Sequence, residues 1–324
     1  MHGNHSDHAE LERIRRLDEK LRRELGPQIN AWFEDPTVIE IMLNNDGSLW
    51  VERLGAKMTR EGSMSASMAT AMMGTLATIY KTIVNHDNPV LECTLPFDGS
   101  RFEGVLPPVA SGGPAFAIRR PAIEIFTLAN YVEQGILREI QYRTLRDAIA
   151  NRKNIVVIGG TGSGKTTFVN ACIHEVKEVT PDNRVGILED TKEIQCISEN
   201  HFRLLTTDVI DMTRLLKITM RKRPDRIIVG EVRDGAALAL LKAWNTGHPG
   251  GLSTIHANSA KAGLSRLEQL VGEATPTPQP RLIAEAIDIL VFIEKTPETK
   301  AGRRIKEILA VEDFDGTRYI THPV

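Results

Sequence analysis

Residues 159–166 read Gly159-Gly160-Thr161-Gly162-Ser163-Gly164-Lys165-Thr166, a complete GxxxxGK[ST] motif. An apolar β-run, Ile155–Ile158, leads into it, and a helical stretch, Thr167–Val176, follows. A strand, a glycine turn and a helix N-terminus in that order point backbone N–H groups inward around an anion. The helix end adds its positive potential. The segment therefore demands a layered α/β arrangement with a buried strand and the loop at its C-terminal end. Residues 159–167 are the expected nucleotide-binding set. Lys165 reaches the β- and γ-phosphates, the Thr166 hydroxyl ligates magnesium, and Thr167 assists at the α-phosphate.

The rest of the chain agrees with that demand from about Arg138 onward. "RVGILED", "RIIVGE" and "LSTIHA" are apolar runs separated by helical segments, the pattern of a parallel sheet with helical crossovers. "IDILVFIEK", "RIKEILAVEDF" and "TRYITHP" read as strands joined by tight turns that extend the sheet. Upstream the pattern differs. The first eight residues read as a loose polar tail, in which His2, His5 and His8 are a weak metal-binding candidate. Leu11, Ile14, Leu17, Leu21 and Leu25 then fall at helical spacing over residues 9–25. "TVIEIML" and "SLWVERL" flank the turn signal "NNDG" as a hairpin. Residues 63–85 read as a helix whose Met64, Met68, Met72 and Met73 are core, and "RFEGVLPP" and "PAFAIRR" return to strand. The expected organisation is a tail and helix over 1–26, a small α+β domain over 27–120, a linker over 121–137 and the α/β domain over 138–324.

Hydrolysis of a bound nucleotide also needs a group to position water and cations to offset transition-state charge. "RPDRIIVGEVRDG" supplies the first: Arg226–Val229 reads as a buried strand ending in Gly230-Glu231, which aims Glu231 at the γ-phosphate. Gly230 stands where such strands usually carry Asp, so the carboxylate behind magnesium must come from elsewhere. "ILEDTKEIQ" offers Glu189, Asp190 and Glu193 after another strand. Glu189 is the expected catalytic and metal-side carboxylate, while Asp190 and Glu193 can equally cap the next helix. "GHPGGLSTIHANSA" places His256 at a strand's C-terminal end, where it can bond a phosphate oxygen or a catalytic carboxylate and sense hydrolysis. His248 has a lesser, orienting part, and Gly250-Gly251 is read as allowing close approach to the nucleotide.

Composition narrows the function classes. With 324 residues and 41% hydrophobic and 25% charged residues, the chain is an ordinary globular protein long enough for two domains. A formal net charge of −2 gives no general attraction to nucleic acid or anionic membrane. Only "RKRPDR", Arg221–Arg226, is a local basic patch that would serve a nucleic-acid translocase. No run approaches a membrane span or a signal-peptide core. Cys93, Cys172 and Cys196 are too few and too scattered for a disulfide framework, as expected of a cytoplasmic protein.

Four segments in this order, Gly159–Thr166, Glu189–Glu193, Ile227–Glu231 and Gly247–Ala257, resemble the secretion-ATPase superfamily. They match its Walker A loop, Asp box, atypical Walker B and His box. "EIMLNNDGSLWVE" and "PPVASGGPAFAIRRP" extend the resemblance through the N-terminal domain, most closely toward the VirB-type traffic ATPases of type IV secretion and conjugation. The resemblance implies a RecA-like P-loop domain behind a smaller α+β domain, and ATP with Mg2+. It implies a cytoplasmic homohexameric ring that docks on an inner-membrane secretion channel and works with its components and coupling ATPases, with peripheral membrane contact and an open question of direct DNA contact. It also implies that Arg101 and Arg119 close over the phosphates; on the residues alone they read as solvated strand arginines. Pilus or type II secretion ATPases are the sister reading. Their assembly members carry a tetracysteine zinc element absent here, but retraction members lack it too. A nucleotide-gated scaffold without hydrolysis is disfavoured by Lys165 and Glu231.

Overall fold

The structure, a computed structural model, describes residues 4–121 and 126–324. They divide into two compact units, residues 1–123 and 124–324.

The first unit contains α1 (Asn4–Glu34), β1 (Val38–Leu43), β2 (Ser48–Arg53), β3 (Thr59–Ser63), α2 (Ala66–Ile79), β4 (Val90–Thr94), β5 (Arg101–Val105) and β6 (Ala115–Arg119). Helix therefore starts at Asn4, inside the stretch expected to be a loose tail. The side chains of His2, His5, His8, Leu11 and Ile14 lie outside the described residues. Gly26 (φ 80, ψ 167) and Pro27 break α1 into two pieces, as a left-handed residue followed by a proline without an N–H must. Leu21 and Leu25 before the break, and Ile29 after it, are buried. The β1–β2 hairpin forms around Asn44–Gly47, with Gly47 at φ 79. Six strands pair antiparallel in the order β3-β2-β1-β6-β5-β4. Met64, Met72 and Met73 join the core, whereas Met68 is 41% exposed, a correction to its expected burial.

The second unit contains α3 (Leu128–Glu133), α4 (Glu139–Ala150), β7 (Ile155–Ile158), α5 (Lys165–Val179), β8 (Val185–Glu189), β9 (His201–Leu205), α6 (Met212–Met220), β10 (Arg226–Val229), α7 (Ala236–Asn245), β11 (Leu252–Ile255), α8 (Ala260–Ala274), α9 (Pro280–Ala286), β12 (Ile289–Lys295), β13 (Arg303–Phe314) and β14 (Tyr319–Pro323). Much of the expected linker belongs here: Tyr131 of α3 is buried and its ring meets Phe168 of α5 at 5.2 Å. The eight-stranded sheet runs β14-β13-β12-β7-β11-β10-β8-β9. Strands β12, β7, β11, β10, β8 and β9 are parallel, and β13 and β14 are antiparallel. Strands β7, β10 and β11 are buried throughout, because helices cover both faces with two apolar clusters. The order matters for chemistry. Strand β11 lies between β7 and β10, so whatever follows β11 must fall between whatever follows the other two.

Candidate active site

The loop after β7 is shaped by glycines at two left-handed positions, Gly162 (φ 67) and Gly164 (φ 97), the second capping α5. Gly159 has no space for a side chain, since a Cβ there would overlap the Ile293 carbonyl and Ser163 hydroxyl. Lys165 opens α5 and is 7% exposed. Its Nζ donates to the Gly160 carbonyl at 3.2 Å and lies 3.3 Å from both ring nitrogens of His256. Gly160 and Thr161 are exposed, so the loop is open on its outer side.

His256 follows β11 and reaches both neighbours, as the strand order requires. Its Nε2 lies 2.7 Å from Glu231 Oε1. Arg233 holds the other Glu231 oxygen, with Nε to Oε2 at 2.8 Å, and Nη1 lies 3.9 Å from Asp190. The Thr254 hydroxyl donates to the Gly230 carbonyl at 2.8 Å, and Val232 N–H to the Thr254 carbonyl at 3.0 Å, which fixes the turn bearing Glu231 against β11. Glu231 is thus a carboxylate bonded by Arg233 at one oxygen and closely approached by His256 at the other, beside the loop lysine. Arg233 was not among the expected site residues, although it stands only two positions after Glu231.

The acidic segment after β8 departs from expectation. Glu189 is 2% exposed and turned inward: Oε1 accepts the N–H groups of Glu193 (2.8 Å) and Ile194 (2.6 Å), and Oε2 pairs with Arg203 of β9. Burial pushes its carboxyl above the usual range, opposed by those N–H groups and Arg203. Gly230 makes this placement feasible, because a Cβ there would crowd Glu189 Cγ at 3.2 Å. The carboxylate beside the loop is Glu193 instead, whose Oε2 accepts from the Thr166 hydroxyl at 3.4 Å. Asn170, 2% exposed on α5, steadies this segment through the Gln195 N–H (3.0 Å) and the Glu193 carbonyl (3.4 Å). Glu189 therefore shapes the loop that carries Glu193 and does not itself face Thr166. Among the described residues, no group of three or more His, Cys, Asp or Glu side chains could hold a metal alone.

Comparison with known proteins fits this geometry. Residues 24–306 match the family model "Type II/IV secretion system protein". The chain belongs to this family. It is 51% identical over 304 residues to a probable conjugal transfer protein TrbB of Sinorhizobium fredii, covering 94% of this chain and 92% of the relative. It is 50% identical over 306 residues to the conjugal transfer protein TrbB of Rhizobium radiobacter, covering 94% of each. The solved ATPase DotB of Legionella pneumophila shares the fold with a TM-score of 0.58 at 20% identity, over 84% of this chain and 76% of that one.

Other expected features of this secretion-system family member fall elsewhere. His248 precedes β11, at the opposite end of the sheet from His256. Gly250 and Gly251 serve that far end: a Cβ on Gly251 would overlap the Trp244 indole, and one on Gly250 would overlap the Arg226 guanidinium. Their smallness accommodates packing there, not the approach of a nucleotide. The basic run Arg221–Arg226 is only partly exposed: Arg221, Lys222 and Arg223 face solvent, while Pro224 and Arg226 are buried. Arg226 is 1% exposed and donates to Asn183 (2.7 Å), Ile149 (2.7 Å), Gly250 (3.1 Å) and Thr180 (3.2 Å), and burial lowers its pKa to about 10. Among the described residues no helix is long and apolar enough to cross a membrane. In the first unit, Arg101 and Arg119 are direct cross-strand partners on β5 and β6, and Glu40 of β1 faces Arg119 on its other side. Like charges directly opposite in a ladder repel, so the Arg101–Arg119 pairing is unfavourable on its own.

Proposed function

We propose that this chain is a traffic ATPase that hydrolyses ATP to drive a type IV secretion system of the conjugal kind, in DNA transfer and pilus assembly. The observation that carries the reading is Glu231, held by His256 and Arg233 at the end of β10 beside Lys165 of the phosphate loop. In this reading Lys165 offsets charge on the β- and γ-phosphates, and Glu231 orients the attacking water. His256 exchanges its contact between Glu231 and the phosphate as the γ-phosphate leaves, which links hydrolysis to movement. The loop fits a nucleotide with magnesium: Gly162 and Gly164 take the left-handed turns that curl its backbone, Gly160 and Thr161 leave its outer side open, and Thr166 and Glu193 face each other at its inner end. Thr166 would ligate Mg2+ and Glu193 would support it, in place of Glu189; the metal neutralises phosphate charge in the transition state. Residues 159–164 and Thr167 complete the phosphate contacts. By the family resemblance alone, Arg101 and Arg119 are assigned to phosphate binding. The same resemblance suggests a homohexameric ring on the cytoplasmic face of an inner-membrane channel, with the mass measured by light scattering in Mg-ATP as its check. Loss of Arg226 from the surface weakens the translocase reading.

The experiment is hydrolysis by Lys165→Ala at saturating ATP. The reading expects turnover to fall by about three orders of magnitude or more, because the loop loses its point charge at the reacting phosphates. Substantial remaining turnover would remove this loop as the active site.

A further inference from the structure

The hairpin of β12 and β13 ends in two cations facing each other: Lys295 and Arg303 are cross-strand partners. One position further along, the same hairpin behaves differently. Arg304 pairs with Glu294 at 2.9 Å and also with Glu298, and Lys306 pairs with Glu294 at 3.0 Å. Among the described residues the side chains of Lys295 and Arg303 have no such acidic partner. They are set against the phosphate loop instead. A Cβ on Gly164 would stand 2.5 Å from Arg303 Nη1, and one on Gly162 would stand 2.9 Å from Lys295 Nζ.

This placement is electrostatically costly in the free protein. Like charges opposite each other in a ladder repel. Both also approach the N-terminus of α5, whose dipole already favours anions and disfavours cations. Lys165 adds a third cation at that helix end. Only a ligand with several negative charges converts this arrangement into a favourable one. The sheet order says which part of the ligand it serves. Strand β12 flanks β7 on the side away from β11, whereas His256 and Glu231 lie on the β11 and β10 side. The γ-phosphate belongs to the side of Glu231, so the β12 side receives the opposite end of the phosphate chain.

We propose that Lys295 and Arg303 bind the α-phosphate end of the nucleotide, remote from the reacting γ-phosphate, gripping nucleoside diphosphate and triphosphate alike; this rests on the ATPase reading above. Contacts made equally in ground and transition states set affinity and leave the chemical step alone. The pair is thus a retention clamp that keeps ADP bound after hydrolysis, distinct from the hydrolytic cluster.

The test uses the full chain with Lys295→Gln, Arg303→Gln and the double variant, titrated with MgADP and assayed with MgATP. The expected result for the double variant is an ADP Kd and an ATP KM both raised about ten-fold or more, as for loss of charge-assisted hydrogen bonds. Turnover at saturating ATP stays within about two-fold of wild type or rises. Melting without nucleotide is unchanged or higher, because a repulsion has been removed, and the stabilisation by ADP shrinks. Arg303→Lys regains part of the lost affinity. An unchanged ADP Kd in the double variant overturns the proposal, as does a lower melting point without nucleotide at unchanged affinity, which would make the pair a structural brace. Should Arg303→Gln fail to fold, Lys295→Gln at the exposed position gives the same decision. If wild type neither binds nor hydrolyses ATP, the ATPase reading fails first; if it does both and the variants match it, only the clamp fails.

Discussion

The two ends of the eight-stranded sheet use the same kinds of residue for opposite purposes. At the C-terminal ends of β7, β10 and β11, Lys165, Glu231, His256 and Arg233 gather beside a loop open on its outer side. At the N-terminal end of β10, Arg226 is as buried as any aliphatic core residue and gives its donors to four neutral oxygens of its own surroundings. The glycines divide in the same way. Gly162 and Gly164 bend the loop where cations converge, while Gly250 and Gly251 make room for a guanidinium and an indole. A charge whose hydrogen bonds end on fixed carbonyls stabilises one arrangement; charges placed near one another around an open loop are ready to respond to a ligand. Burial alone therefore does not mark a functional cation. What surrounds it does.

The largest expected effect lies at the C-terminal end. Glu231→Gln should bind ATP normally and hydrolyse it about 100-fold more slowly or worse, as for loss of a positioned acid–base group. Normal turnover in that variant would erase the contrast between the two ends. The next effect belongs to the N-terminal end and should appear in stability instead. Arg226→Met leaves the carbonyls of Ile149 and Gly250 and the side-chain oxygens of Asn183 and Thr180 without their donor. It should lower unfolding free energy by about 2–3 kcal/mol in denaturant titrations, with turnover per folded molecule nearly unchanged. A selective loss of turnover there would show that the far end also takes part in catalysis.

What could be read from the sequence followed the same division. The phosphate loop, the four-residue strand before Glu231 and the delivery of His256 to the loop were all legible, because each depends on local pattern and on the rule that ligands gather at strand C-terminal ends. The inward turn of Glu189, which leaves Glu193 as the carboxylate beside Thr166, was not. It depends on Arg203 of β9, fourteen residues beyond Glu189, which captures the nearer carboxylate and turns it inward. The purpose of Gly250 and Gly251 was hidden for a similar reason, since their neighbours Trp244 and Arg226 come from α7 and β10. The meeting of Lys295 and Arg303 with the loop is not legible in the sequence, because it needs both the β12–β13 register and the position of β12 next to β7. In each case the decisive partner is distant in sequence, and charge or spacing alone cannot name it.

His248 and His256 provide the most direct test, being the same residue type in one segment and separated by the length of β11. Both alanine variants should be assayed side by side for ATP affinity and turnover. His256→Ala should keep affinity within a few-fold and lose turnover by about ten-fold or more, because Glu231 loses the partner at 2.7 Å that orients it. His248→Ala should leave both quantities near wild type. Equal losses in the two variants, or normal turnover in His256→Ala accompanied only by a lower melting point, would contradict the assignment of the active site to the C-terminal ends of these strands.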